Sequence, residues 1–198
     1  MANRDMPKGG VPVKHLNGNP YNGKYNVYYK DAAENFFIGS PVKLEGSADP
    51  TGMYPTVTLA AATEVPLVGF VVGFSTSPYI TADPADLDRV YSISTEDVYV
   101  AVCDDPNVIF EMQEDTGTTL TIADVGMNCS MTSESGSTVT GNSSVEIDGS
   151  EVATTSTLGI RLLRYVNRED NAVGAHAKWE VMINKHAYGH GLGCIGVE

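Results

Sequence analysis

The chain has 198 residues and a formal net charge of −13, with 42% hydrophobic and 19% charged side chains. A chain of this length can form one domain with a sizeable core or two small ones. Its negative charge disfavours binding to nucleic acid or to an acidic membrane surface. No apolar run reaches the ~18–20 residues of a membrane span. From the charge and the absence of such a run, we expect neither nucleic acid nor membrane as a partner.

The first ten residues, MANRDMPKGG, lack the apolar segment of a secretory signal. The three cysteines are Cys103, Cys129 and Cys194, and no two of them form a CxxC pair. This usage favours free thiols in a reducing compartment, so we expect the protein to be made in a cytoplasm.

Residues 1–35 are predicted to form an extended N-terminal arm. Residues 1–24 are rich in Gly, Pro and Asn, and residues 1–30 hold five basic side chains and one acidic, against seven basic and 24 acidic in the remainder. Such a segment gains little by folding alone, and its tyrosines suit contact with a neighbour. The alternatives are a solvated basic tail and tyrosines that cover the chain's own core. The predicted contact residues are Arg4, Lys8, Lys14, Tyr21, Lys24, Tyr25, Tyr28 and Tyr29.

Residues 36–198 are predicted to form a β-rich body of short strands. Gly39 and Ser40 divide the first apolar segment into two strands. The apolar segment Val65–Phe74 is predicted to be a buried strand, in which Gly69 and Gly73 mark bulges or places where another backbone comes close.

Two further segments of the body alternate with a period of two. Ala175–Asn184 is predicted to be a strand with Trp179 and its alternate neighbours facing inward. Val98–Gln113 has β-branched and aromatic residues on both sides of Asp104-Asp105-Pro106-Asn107, a pattern that predicts a hairpin with a tight turn. Acidic residues in such a turn are usually solvated.

Ser130–Thr157 contains no Lys or Arg and is dominated by Ser, Thr and Gly. It is predicted to be a long exposed excursion, over residues 130–157, with apolar anchors only at Val145 and Ile147. The preceding segment Thr121–Asn128 is predicted to form a short helical or 3₁₀ turn closed by Gly126. No segment has the pattern of a long amphipathic helix. The sequence therefore predicts an all-β fold, a β-sandwich or β-barrel with an extended arm and a Ser/Thr-rich excursion.

The residues that could carry chemistry form weak patterns. His186, His190 and Cys194 are spaced four apart, but the intervening glycines disfavour the helix that would align them as zinc ligands. The acidic residues within and after the predicted helical turn at Thr81–Leu87 lack the spacing of a calcium loop, and no GxSxG motif is present. We predict no catalytic residue, no cofactor and no metal, so the protein is not expected to be an enzyme. A β-barrel enzyme with a His/Cys metal site is the alternative.

Several segments, in order, resemble capsid decoration (cement) proteins of tailed bacteriophages. The similarity covers about residues 36–190 and is a similarity of pattern. Its segments are Gly39–Leu44, Val68–Gly73, Val100–Gln113, Ala123–Asn128, Leu158–Tyr165, Asn167–Lys178 and Ile183–His186.

This resemblance implies a structural protein on the outer surface of the capsid in the virion. Its partners would be the major capsid protein and itself, as a homotrimer, and the family has no catalytic residues to transfer. Strand edges and arms suit such contacts, because many weak contacts sum through avidity. The alternative is a head-fibre or receptor-binding module that holds glycans with tyrosines, Trp179 or the excursion.

Overall fold

Two main β-structures, a closed five-stranded barrel and a six-stranded sheet, build the computed structural model. The structure describes residues 3–30, 34–61, 66–76, 90–132 and 136–189. The strands in chain order are β1 (Val11–His15), β2 (Asn26–Lys30), β3 (Phe36–Phe37), β4 (Pro41–Ala48), β5 (Pro55–Leu59), β6 (Gly69–Ser75), β7 (Tyr91–Ser92), β8 (Val98–Cys103), β9 (Val108–Gln113), β10 (Asn128–Met131), β11 (Ile147–Ala153), β12 (Ile160–Tyr165) and β13 (Lys178–Ile183). The predicted all-β fold class is confirmed.

The barrel has the strand order β2-β5-β4-β6-β8. Its strands are rich in Val, Phe and Tyr, which suit a pleated, buried surface. Tyr28 and the valines of β8 lie in its interior, each at most 3% exposed. Closure leaves little free strand edge, although β2 and β5 share one residue pair and β4 and β6 share two. Contacts of the barrel with other molecules are therefore expected mainly through side chains, loops or its two ends.

The six-stranded sheet has the order β1-β9-β13-β12-β10-β11. A bridge between Glu114, the residue after β9, and Ile147 of β11 connects strands that are far apart in the sheet order. The sheet therefore curls around its own core. Trp179 of β13 is fully buried there, as its alternation predicted. Its Nε1–H donates to Glu114 Oε2 at 2.7 Å, and its ring meets Tyr165 edge-on.

One hydrophobic cluster joins the barrel to the six-stranded sheet. Phe70 of β6 points out of the barrel and packs on Phe110 of β9, with ring centroids 4.7 Å apart. Leu67 and Cys103 belong to the same cluster and are fully buried. The two β-structures therefore share a core.

The predicted hairpin at Val98–Gln113 is wrong, although both of its strands form. β8 pairs with β2 and β6 in the barrel, whereas β9 pairs with β1 and β13 in the sheet. The turn between them is the crossing from one β-structure to the other. Alternation predicts a strand and its faces but does not identify the neighbouring strand, and this is why the pairing was missed.

The N-terminal residues also differ from the expected extended arm. β1 pairs antiparallel with β9, and β2 lies between β5 and β8 within the barrel. A segment poor in aliphatic residues is stabilised here because tyrosines and backbone hydrogen bonds supply the contacts. Residues 11–15 and 26–30 are thus strands of the body, and residues 3–10 lead into them.

The Ser/Thr-rich segment 130–157 is less exposed than predicted. β10 and β11 form an antiparallel pair in the sheet, and Val145 and Ile147 are buried as expected. Asn142 bridges to Ile38 beside the barrel. Backbone pairing holds this apolar-poor segment in place, and composition alone does not report such pairing.

Local turn signals are confirmed more often than long-range ones. A 3₁₀ turn forms at Ile122–Asp124, capped by the Thr121 hydroxyl. Gly39, with φ +86°, separates β3 from β4. The predicted helical turn at Thr81–Leu87 lies outside the described residues. No described helix is long and apolar enough to cross a membrane.

Both glycines of β6 have the roles that the sequence predicted. A Cβ on Gly69 would lie 2.1 Å from the carbonyl oxygen of Cys103, so the two backbones are in close approach. Gly73 lies at a register shift between β6 and β8, and a Cβ there would meet Ala101 at an ordinary 3.6 Å. The close neighbour expected at this strand is β8 of the same chain.

Gly69→Ala is expected to lower the free energy of unfolding by about 1–3 kcal/mol, because the added methyl group forces β6 away from β8. Gly73→Ala is the matched control in the same strand and should change stability by less than about 1 kcal/mol. Urea denaturation of both variants measures the difference. Equal effects of the two substitutions would contradict the close approach at Gly69.

Candidate functional site: a tyrosine-lined recess at one end of the barrel

The eight predicted contact residues do not form one continuous surface. Arg4, Lys8 and Lys24 are exposed. Lys14 of β1 instead pairs with Glu180 within the chain, at 2.6 Å. Tyr21 is half-buried and donates its hydroxyl to the Lys24 carbonyl. The remaining three tyrosines, Tyr25, Tyr28 and Tyr29, lie at or in β2 of the barrel.

A recess of about 550 Å³ opens where β2 and β5 begin and β8 ends. Asn26 pairs with Val102, so the start of β2 lies beside the end of β8. Tyr29 pairs in parallel with Thr56, so Met53 and Tyr54, which precede β5, run beside the start of β2. The recess is lined by Tyr25, Asn26, Val27, Tyr28, Met53, Tyr54, Pro55, Asp104 and Tyr188. Barrel ends are places where ligand and partner sites are often built.

Exposed apolar and aromatic side chains form the rim of this recess. Met53 is 73% exposed, and Tyr25 and Tyr188 are 41% and 45% exposed. Tyrosine combines a large apolar ring with a hydroxyl that stays hydrated, which makes it a frequent residue in protein interfaces. The rim therefore presents contact area that folding has not used.

The carboxylate of Asp104 forms the polar base of the recess. Asn26 Nδ2 donates to both of its oxygens, at 3.0 and 2.9 Å, and the Tyr28 hydroxyl donates at 2.6 Å. The Tyr28 oxygen also lies 3.3 Å from that of Tyr188. Burial and the bond to Asp104 raise the pKa of Tyr28, so its hydroxyl remains protonated. Asp104 is thus a half-buried turn residue, partly solvated as the sequence suggested but held in position by these hydrogen bonds.

A row of tyrosine side chains in mutual contact continues from the recess along the outside of the barrel. Tyr54 packs edge-on against Tyr99, whose ring lies 5.6 Å from that of Tyr29. The Tyr99 hydroxyl donates to Asp49. Burial alone would raise the pKa of Asp49, but hydrogen bonds from the Thr51 hydroxyl and nearby backbone amides lower it to about 2. A fixed carboxylate therefore keeps this aromatic surface in place.

Sequence reasoning missed most of the recess. It named Tyr25 and Tyr28, which come from one segment, but not Tyr54, Asp104 or Tyr188, which come from three others. No spacing rule links residues so far apart in the chain. The available signal was compositional, because Tyr accounts for 10 of the 198 residues and Trp for only one.

A second polar cluster joins the N-terminal segment to the six-stranded sheet. The ligand atoms of Asp5, Glu146 and His176 lie within 4.8 Å of one another, so these are described residues that could hold a metal ion. The Gln113 amide already lies among them, with Nε2 at 3.1 Å from Asp5, 2.7 Å from Glu146 and 3.2 Å from His176. Burial raises the pKa of Glu146. We interpret this cluster as an anchor for residues 3–10.

Of the three residues weighed as zinc ligands, His190 and Cys194 lie outside the described residues. His186 is buried, and its Nδ1 accepts the Tyr188 backbone N–H at 3.0 Å. Burial lowers the pKa of this imidazole. Within the described part of the chain, His186 therefore positions the loop that carries Tyr188 at the recess.

Comparison with protein-family models, with curated proteins and with solved structures finds no match for this chain.

Proposed function

We propose that this chain is a structural protein of a bacteriophage head, which binds the outside of the capsid shell as a trimer and stabilises it. The tyrosine-lined recess is the observation that carries this proposal. It offers exposed aromatic area on a rigid barrel end, which is the composition and setting of a protein contact. The resemblance of several segments to capsid decoration proteins supplies the identity of the partner, the major capsid protein.

The fold gives this proposal a physical basis. A closed barrel resists edge-to-edge aggregation, which suits a protein present in many copies on one surface. Repeated copies also need only a weak contact each, because attachment at several points adds up through avidity. The exposed basic residues Arg4, Lys8 and Lys24 can assist by approaching acidic patches of the shell.

A glycan-binding virion module is the second candidate. It is favoured by exposed tyrosine rings beside the Asn26–Asp104 pair, since sugars stack on aromatic faces and donate hydroxyls to carboxylates. The buried Trp179 takes no part in it. A glycan array separates the two candidates, because selective sugar binding with no affinity for shells would favour this second function.

Shells assembled without this protein provide the direct test. Purified protein is expected to pellet with the shells, to raise their melting temperature, and to give a mass near three chains by light scattering. Tyr25→Ala should weaken attachment several-fold. Ile122→Ala is the matched control, because it removes a 75%-exposed side chain from the 3₁₀ turn before β10. It should leave attachment unchanged. If the wild-type protein stays in the supernatant and does not pellet with the shells, the proposed function is rejected.

A further inference from the structure

We propose that the recess binds a basic side chain, arginine above all, supplied by the partner protein. This inference rests on the proposed function and specifies its contact chemistry. The occupant is inferred from the charge of the lining, from its hydrogen-bond acceptors and from its aromatic residues.

The first step is charge. Asp104 is the ionisable carboxylate of the lining, and the lining residues that the structure describes include neither Lys nor Arg nor His. The neighbours that bind Asp104, Asn26 and Tyr28, are neutral donors. Its negative charge therefore has no cationic partner within the lining, and a cation that enters the recess would gain the attraction without displacing another cation.

The second step is hydrogen bonding. The two carboxylate oxygens offer about four acceptor positions. Within the part of the chain that the structure describes, the hydrogen bonds from Asn26 and Tyr28 use three of them and leave one vacant. Asn26 is exposed and shares one amide nitrogen between both oxygens. A guanidinium donates two parallel, charge-assisted hydrogen bonds, which are stronger than those of a neutral amide. It can therefore use the vacant position and take over one held by Asn26.

The third step is the aromatic rim. Tyr25 and Tyr188 both line the recess and are 41% and 45% exposed. A planar guanidinium stacks on such rings and is attracted by their π faces. The combination of two exposed tyrosines with a fixed carboxylate suits arginine better than a neutral sugar, because only a cation gains a charge–charge attraction in addition to hydrogen bonds.

The test uses two blocked tripeptides with the full-length protein at low ionic strength, followed by NMR titration of the Asn26 side-chain amide. Acetyl-glycyl-arginyl-glycinamide carries the cation, and its citrulline counterpart has nearly the same shape but no charge. The arginine peptide is expected to bind about tenfold more tightly, a ratio worth about 1.4 kcal/mol. N-acetylglucosamine serves as the probe for the sugar alternative.

Three variants make the result specific. Asp104→Asn should reduce the ratio between the two peptides to about one, whereas Glu45→Gln, which removes the same charge from an exposed site of β4, should preserve it. Tyr25→Leu should weaken binding of the arginine peptide several-fold, and it tests the recess even if Asp104→Asn fails to fold.

The inference is overturned if wild-type protein does not distinguish the two peptides. It is also overturned if the NMR chemical-shift changes occur away from the recess, or if N-acetylglucosamine binds there more tightly than the arginine peptide. These outcomes differ from failure of the proposed function. Shells that retain wild-type and Asp104→Asn protein equally would leave capsid attachment standing and remove the arginine contact. Absence of attachment to shells would reject the function whatever the peptides do.

Discussion

Trp179→Ala is expected to lower the free energy of unfolding by about 3–5 kcal/mol. The indole is fully buried in the six-stranded sheet and packs edge-on against Tyr165. Its removal leaves a cavity and also deprives the buried Glu114 of its 2.7 Å hydrogen bond, which adds to the cost. Urea denaturation monitored by circular dichroism measures the change.

Trp179→Phe is the control for this substitution. It keeps most of the ring volume but loses the N–H donor, so its cost should be clearly smaller than that of alanine. A loss below about 1 kcal/mol for alanine would mean that the ring is not in the core. That result would also return Trp179 to the residues available for a glycan.

Glu114→Gln is expected to make the protein more stable at pH 8 and to change its stability little at pH 4. Burial raises the pKa of Glu114 from 4.5 to about 7, with the Trp179 hydrogen bond opposing the shift. The folded state therefore holds this proton more tightly than the unfolded state does. The contribution of Glu114 to unfolding free energy falls as pH rises from about 4.5 to 7, by about 3 kcal/mol in total.

The quantity to compare is the difference in unfolding free energy between Glu114→Gln and wild-type protein at each pH. The contributions of the other carboxylates are the same in both proteins and cancel in this difference. This difference should grow between pH 4 and pH 8, while Glu45→Gln at an exposed position should give a difference that hardly varies. Glutamine fits the site because its side-chain carbonyl can accept the same indole N–H. A difference independent of pH would contradict the buried, proton-retaining state of Glu114.

Local features of this fold could be predicted from sequence because their causes are local. Trp179 and its neighbours alternate in polarity, and that pattern predicted both the strand and its buried face. Gly69 lies where β6 and β8 approach closely, and Gly73 lies at a register shift between the same strands. The same kind of signal identified the capped turn after Thr121.

Pairing could not be predicted, because it depends on residues distant in the chain. The turn at Asp104–Asn107 has hairpin composition, yet its two strands complete different β-structures. β2 looked like part of an arm because its surroundings are polar, and only closure of the barrel buries Tyr28. The recess could not be predicted for the same reason. Its residues Tyr25, Tyr54, Asp104 and Tyr188 become neighbours only after β2, β5 and β8 have paired.

Electron cryo-microscopy of the virion that encodes this chain tests the proposed function most directly. We expect density for the protein on the outer face of the shell, in groups of three copies, with the recess around Asp104 turned toward a basic side chain of a capsid subunit. A virion that lacks the protein, or one that carries it away from the shell, would contradict the proposed function.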